Sequence, residues 1–142
     1  MKTLYSAKVT TEGGRKGRTI SDDGILDLQL SMPKSLGGEG GDYTNPEQLF
    51  AAGYSACFGS ALEMIAKSSN VDLGDYSVTV TIDLGQNEDK ELDLSAVLDI
   101  YIPDIDVETG EDLINEAHEV CPYSRATRDN IDVTLNLLID ED

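Results

Sequence analysis

The sequence predicts an α+β fold: antiparallel sheets around a long, central, buried helix, with a second helix behind it. Three observations carry that expectation. Apolar and polar residues alternate in runs near both ends of the chain, as in strands with one face covered. Asn45-Pro46-Glu47-Gln48 is a strong helix start, followed by some twenty apolar or small residues. A second start at Thr109, with Asp112 three residues on, opens a shorter amphipathic stretch.

Residues 3–11 read as a first strand, ending at the turn Glu12-Gly13-Gly14-Arg15-Lys16-Gly17. A short strand near Arg18 to Ile20 meets a turn at Ser21-Asp22-Asp23-Gly24. Leu26, Leu28 and Leu30 then alternate with Asp27, Gln29 and Ser31, completing an antiparallel meander. The loop from Pro33 to Thr44 holds Gly37-Gly38-Glu39-Gly40-Gly41, but no Lys-Ser/Thr follows as a phosphate-binding loop requires, so it is read as a flexible connection.

The long helix is placed over Pro46 to Ser68, with Asn45 as N-cap and Pro46 at its first position. Ala51, Ala52, Gly53, Ser55, Ala56, Gly59, Ser60 and Ala61 keep its girth small, which suits close approach by another element. Leu49 to Ala66 is apolar enough to resemble a short membrane span, yet it contains Glu63 and only just reaches the minimum length, so a buried core helix is expected. Val78 to Leu84 and Leu92 to Ile102 form a long hairpin across the polar segment 85–91. The second helix turns Leu113, Ile114, Ala117, Val120 and Cys121 inward and is stopped by Pro122. Ile131 to Leu137 is the last strand.

The chain has 142 residues, enough for a single domain over 1–142. Trp is absent and aromatics make up 6%, so the core must be mostly aliphatic. A formal net charge of −18 repels phosphate backbones and anionic headgroups, which excludes nucleic acid and membrane surfaces as natural partners. A solvated acidic surface is the simpler reading of that charge, with adaptation to high salt as the alternative. The N-terminus lacks the continuous apolar core of a signal peptide, so the cytoplasm is the expected location.

In a reducing compartment, two cysteines are better suited to a redox cycle than to a permanent staple. Two unrelated buried thiols acting as small hydrophobes are the bland alternative. Cys57 lies well inside the long helix, out of reach of the positive end of its dipole, and apolar surroundings raise a thiol pKa. A nucleophilic Cys57 therefore needs a nearby cation, and Arg15 and Arg18 are the candidates. The single His118, one turn before Cys121, is read as a solvent-facing helix residue, because no further soft ligand stands at metal spacing.

Three blocks of sequence carry a resemblance: Gly13-Gly14-Arg15; Thr44-Asn45-Pro46-Glu47-Gln48-Leu49-Phe50-Ala51-Ala52-Gly53-Tyr54-Ser55-Ala56-Cys57-Phe58; and Cys121-Pro122-Tyr123-Ser124 with Ala126-Thr127-Arg128 and Asn130-Ile131-Asp132-Val133. In these the chain resembles the organic hydroperoxide resistance proteins of the OsmC-like superfamily, over nearly its whole length. Asp42-Tyr43 and Asp129 depart from the usual pattern and bear only on loop conformation beside the site.

The resemblance implies an intertwined homodimer that reduces alkyl and fatty-acid hydroperoxides. It makes Cys57 the attacking thiolate, Cys121 the resolving thiol, and Arg15 and Glu47 the pair supporting the thiolate. It implies no bound cofactor or metal, and recycling by an external dithiol, dihydrolipoamide or a lipoylated protein. In this scheme Arg15 lowers the thiol pKa and stabilises charge on the leaving oxygen, while Glu47 holds the guanidinium in place, so Arg15→Lys is expected to be damaging.

Glu47 and Cys57 stand ten positions apart on one helix, about 15 Å along its axis and roughly 80° apart around it. If both serve one active site, an isologous dimer in which the helices cross is the simplest solution, and a side-chain relay through Arg15 is the alternative. Phe50, Phe58, Met64 and Tyr123 are expected to wall an apolar substrate pocket. Two other functions stay open: the sister OsmC-type peroxidase branch, with a broader peroxide range, and a non-catalytic redox sensor or apolar-ligand binder.

Overall fold

A computed structural model describes residues 1–140 and divides the chain into two units, Met1–Leu49 and Phe50–Asp142. In the first unit, β1 (Val9–Glu12), β2 (Arg18–Ser21) and β3 (Asp27–Gln29) form the expected antiparallel meander in the order β1-β2-β3. Residues 3–8, expected to extend the first strand, make no regular structure. Thr19 and Leu30 are buried, whereas Leu4, Tyr5, Val9, Ile20, Ile25, Leu28, Leu36 and Tyr43 are exposed. The alternation that predicts a covered face is present, but within one chain little covers it.

Helix α1 (Pro46–Ser68) has the expected bounds. The Asn45 side chain accepts from the Gln48 N–H at 2.8 Å, closing the N-terminal turn. The helix is long and apolar enough to cross a membrane. Instead, Tyr54, Phe58, Leu62 and Ala66 bury one face of it in the protein core. The helix is thus the expected core helix, but one side of it is open: Ala52, Ala56, Ser60 and Met64, spaced by four, remain exposed, and Met64 is 58% exposed. Residues four apart share one helical face, so Ala52, Ala56 and Ser60 form one open stripe with Met64 at its end.

In the second unit, β4 (Ser77–Gln86) and β5 (Leu92–Tyr101) form the expected hairpin, and β6 (Asp132–Leu138) lies beside β5. The register aligns Val78–Ile100–Leu137, Val80–Leu98–Leu135 and Ile82–Ala96–Val133 in rows on one face. These side chains join those of α1 and of α2 (Val107–Val120) in a single apolar cluster. The β5–β6 pair is parallel, so this sheet is mixed and the expectation of purely antiparallel sheets is corrected. Parallel neighbours require a crossover, and here α2 and α3 (Pro122–Thr127) supply it.

Local start and stop signals are also reassigned. The N-cap of α2 is Asp106, whose carboxylate accepts from the Thr109 N–H and hydroxyl, both at 3.0 Å; Thr109 is thus inside the helix. Val120 points out and is 40% exposed. Cys121 has left the helical conformation, with ψ 122°, and caps both α2 and α3. Pro122 therefore ends one helix by beginning the next, as its ring-fixed φ and missing N–H allow.

Leu98, fully buried in the middle row, and Val120, on the open side of α2, give a direct test of this packing. Leu98→Ala is expected to destabilise the protein by about 2–5 kcal/mol, and Val120→Ser to stay within about 0.5 kcal/mol. Equilibrium denaturation of both variants checks this, equal losses being the outcome against it.

Candidate active site

The first unit builds a carboxylate–guanidinium pair. Arg15 sits in a tight 3-10 turn, Gly14–Lys16, entered through Gly13 at φ 83°. A Cβ on Gly17 would lie 1.5 Å from the Glu12 carbonyl oxygen, so only glycine lets the chain close this turn and re-enter the meander. Glu47 is in the first turn of α1. Arg15 Nη1 donates to Glu47 Oε2 at 2.8 Å and Nη2 to Oε1 at 2.5 Å, a bidentate pair. The Arg15 hydrogen bonds hold the Glu47 carboxyl below its ordinary range, and Glu47 in turn raises the guanidinium pKa. Arg18, the other candidate cation, is committed to Asp27 on the exposed face of the meander through two 2.6 Å hydrogen bonds.

The second unit brings the two sulfurs together. Cys57 is half-buried midway along α1, Cys121 is fully buried between α2 and α3, and both are unlinked. Their side chains lie within hydrogen-bonding range of each other, and the Tyr123 main-chain N–H donates to the Cys57 sulfur. Burial first, and Cys121 second, push the Cys57 thiol up, while the Tyr123 N–H pulls the other way. Left to these neighbours, Cys57 stays a thiol at neutral pH.

Beside the sulfurs stands an aromatic group. Phe50 and Tyr123 meet edge to face at 6.0 Å, Phe50 and Tyr54 at 6.1 Å, and Tyr54 and Tyr123 at 5.6 Å. Phe50 and Tyr123 also line an open, largely apolar cavity of about 380 Å³ with Leu94, Pro122, Ala126 and Ile131. Of the residues expected to wall a substrate pocket, Phe58 is instead sealed in the core and Met64 stands on the open stripe of α1; neither lines this cavity.

Sequence reasoning missed a buried hydroxyl cluster. Tyr54 Oη lies 2.9 Å from Ser124 Oγ and 3.3 Å from Thr127 Oγ1, and the Thr127 hydroxyl donates to the Ser124 carbonyl at 3.1 Å. The available signal was Tyr54 three residues before Cys57, hence on the same helical face and obliged, if buried, to find a polar partner.

His118 is half-buried, not solvent-facing: its Nδ1 is enclosed without a hydrogen-bond partner, and its carbonyl accepts from Arg128 at 2.6 Å. Burial, then the Arg128 charge, lowers its pKa. Among the described residues no three His, Cys, Asp or Glu side chains gather where they could hold a metal ion.

Because the folded-state pKa of Glu47 is depressed, its stabilisation is fully present above the ordinary value of 4.5 and is lost as pH falls through the lower folded value. Glu47→Gln is expected to cost about 1 kcal/mol at pH 7, and the gap from the parent protein to narrow as pH falls below 4.5. Denaturation midpoints measured from pH 7 to 3 check this; a gap that stays constant across that range contradicts it.

Comparison with known proteins agrees with this arrangement. The family model for OsmC-like protein matches residues 38–136. An organic hydroperoxide resistance protein of Xanthomonas axonopodis pv. citri is 48% identical over 96% of each chain. OhrB of Bacillus subtilis, also named an organic hydroperoxide resistance protein, is 48% identical over 94% of this chain and 98% of its own. Among solved structures, an organic hydroperoxide resistance protein from Elizabethkingia anophelis superposes with a TM-score of 0.93 at 48% identity, covering 99% of this chain and 100% of that one. The OhrB crystal structure gives 0.87 at 46% identity, covering 96% of this chain and 100% of that one. With the two sulfurs adjacent in the fold and likeness running along nearly the whole chain, the protein belongs to the OsmC-like family and, within it, to the organic hydroperoxide resistance proteins.

Proposed function

We propose that the protein is a cysteine-dependent peroxidase that reduces organic hydroperoxides to alcohols. The observation that carries this reading is the sulfur pair: one thiol partly exposed, the other buried beside it, with a main-chain N–H on the first. The Cys57 thiolate attacks the outer peroxide oxygen and breaks the O–O bond. Cys57 becomes a sulfenic acid, and the alkoxide takes a proton and leaves as the alcohol. Cys121 then condenses with the sulfenic acid, forming the disulfide and releasing water. Two electrons from an external dithiol, which leaves as its own disulfide, restore both thiols.

An ionised Cys57 needs a positive charge to offset burial and the second thiol, and Arg15 is assigned that role, with Glu47 keeping the guanidinium oriented. The family membership supports this assignment, as does the absence of competing partners on Arg15: its described hydrogen bonds go to Glu47. The apolar cavity at Phe50 and Tyr123 suits the alkyl part of an alkyl or fatty-acid hydroperoxide. Dihydrolipoamide or a lipoylated protein is the proposed reductant, and residues 1–142 are taken as one OsmC-like peroxidase domain. Two unlinked thiols suit the cytoplasm.

A homodimer is part of the proposal. Two observations support it: the exposed stripe of Ala52, Ala56 and Ser60 on α1, where another helix can approach closely, and the many exposed apolar side chains of residues 1–49, too many for a unit of that size to leave in water. A second copy of the chain is the proposed occupant, because the ten-residue spacing of Glu47 and Cys57 on α1 is most simply reconciled with one site by an isologous dimer.

The cysteine assignment is tested by mass spectrometry after one equivalent of an organic hydroperoxide, and by turnover with dihydrolipoamide. The parent protein is expected to form a Cys57–Cys121 link and to turn over repeatedly. Cys57→Ser should consume no peroxide, and Cys121→Ser should reduce one equivalent and stop as the sulfenic acid. Full multiple turnover in both variants would show the assignment to be wrong, and a single stoichiometric reaction of the parent protein would point to a sensor.

Light scattering tests the dimer. Two chains are expected for the parent protein, and Ser60→Arg, which puts a charge on the stripe, should yield single chains with most turnover lost. A fully active single-chain species would rule out the shared site.

A further inference from the structure

Resting on the peroxidase reading, a further role falls to a residue that touches no substrate. Gly53 and Tyr54 precede Cys57 by four and three positions, so all three share one face of α1. Helix α3 is seated on that face. A Cβ on Gly53 would meet the Tyr123 hydroxyl at 2.6 Å, so the Tyr123 ring lies against bare helix backbone. One position along, the Tyr54 hydroxyl reaches Ser124 and Thr127, both on α3. Tyr54, Ser124 and Thr127 are 0%, 0% and 5% exposed. Burying three hydroxyls stabilises little that a Phe, an Ala and a Val would not supply, since their hydrogen bonds only replace those made with water. What they add is a fixed relative position. That matters here because α3 has six residues and is too short to hold itself. Its N-cap also carries the group that must meet Cys57, the Cys121 side chain.

We propose that Tyr54 is a positioning residue for the sulfur pair: through Ser124 and Thr127 it locks α3 onto α1 and so holds Cys121 at Cys57. The consequence lies in the fate of the sulfenic acid. It either condenses with the Cys121 thiol, giving the disulfide and water, or meets a second hydroperoxide, which oxidises it to sulfinic acid and leaves as the alcohol. Condensation needs Cys121 in place at that moment, whereas the second oxidation does not. Loosening α3 therefore shifts the outcome towards overoxidation.

The test uses the full chain and tert-butyl hydroperoxide at increasing equivalents, with intact mass reporting the ratio of disulfide to Cys57 sulfinic acid. Tyr54→Phe keeps the ring and removes the hydroxyl; Ser124→Ala removes its nearer partner on α3. Ile114→Val, in the core on α2, is the control for general loosening. Tyr54→Phe and Ser124→Ala are expected to raise the sulfinic fraction about three- to tenfold while the first equivalent of peroxide is consumed at close to the parent rate, with Ile114→Val unchanged. Parent-like partition in both hydroxyl-deleted variants, or an equal rise in the core control, overturns the positioning role while leaving the peroxidase reading intact. A parent protein that forms no Cys57–Cys121 disulfide overturns both.

Discussion

Strand β6 runs parallel to β5, and much of the second unit's architecture follows from that single pairing. The chain cannot return by a tight turn, so it must travel the length of the sheet outside it. Helices α2 and α3 make that journey, and the break between them falls at Cys121. A helix running unbroken past this point would carry the residue onward on the spiral of α2. The change to extended backbone at Cys121, fixed by the proline that follows, instead directs its sulfur to α1. The rows Val78–Ile100–Leu137 and Val80–Leu98–Leu135 give the crossover an apolar floor to rest on. Sheet pairing, proline chemistry and thiol placement are thus links in one chain of causes.

The electrostatics are set by scarcity. With 28 acidic side chains against 10 basic ones, an arginine that is to serve the proposed chemistry must be kept from the many carboxylates around it. Arg18 shows the alternative, spent on a surface pair with Asp27. Arg15 is instead held by one carboxylate in a fixed two-point geometry, which leaves the remaining edge of the guanidinium defined in space. A lysine offers no such edge. Gly17, where a side chain would strike the Glu12 carbonyl, is a structural condition for that placement.

Much of this was legible in the sequence because the signals were local. Asn45-Pro46 fixes the start of α1 through one side-chain hydrogen bond and one ring, and the alternation in 78–84, 92–102 and 131–137 reports a sheet with one covered face. What escaped was non-local. Alternation has the same period whichever way a neighbouring strand runs, so the parallel pairing of β6 left no mark on it. Asp106 was overlooked as the cap of α2 because Thr109 and Asp112 mimic the same spacing one turn later. The hydroxyl cluster joins residues some 70 positions apart, and nothing in composition or spacing ties Tyr54 to Ser124. The open stripe of α1 left no mark either, because Ala52, Ala56 and Ser60 look the same in sequence whether their face is covered or bare.

The depth of Cys121 carries a last consequence, concerning the route by which electrons enter. A sulfur with no exposed surface cannot be struck by a thiol arriving from outside, whereas Cys57 presents part of itself. In this conformation any bond between the two can be opened from one side only. In the proposed cycle the mixed disulfide with an incoming dithiol would form on Cys57 and release Cys121 as the leaving thiolate, so the atom proposed to meet the oxidant would also meet the reductant. Oxidant and reductant would then take turns at a single doorway.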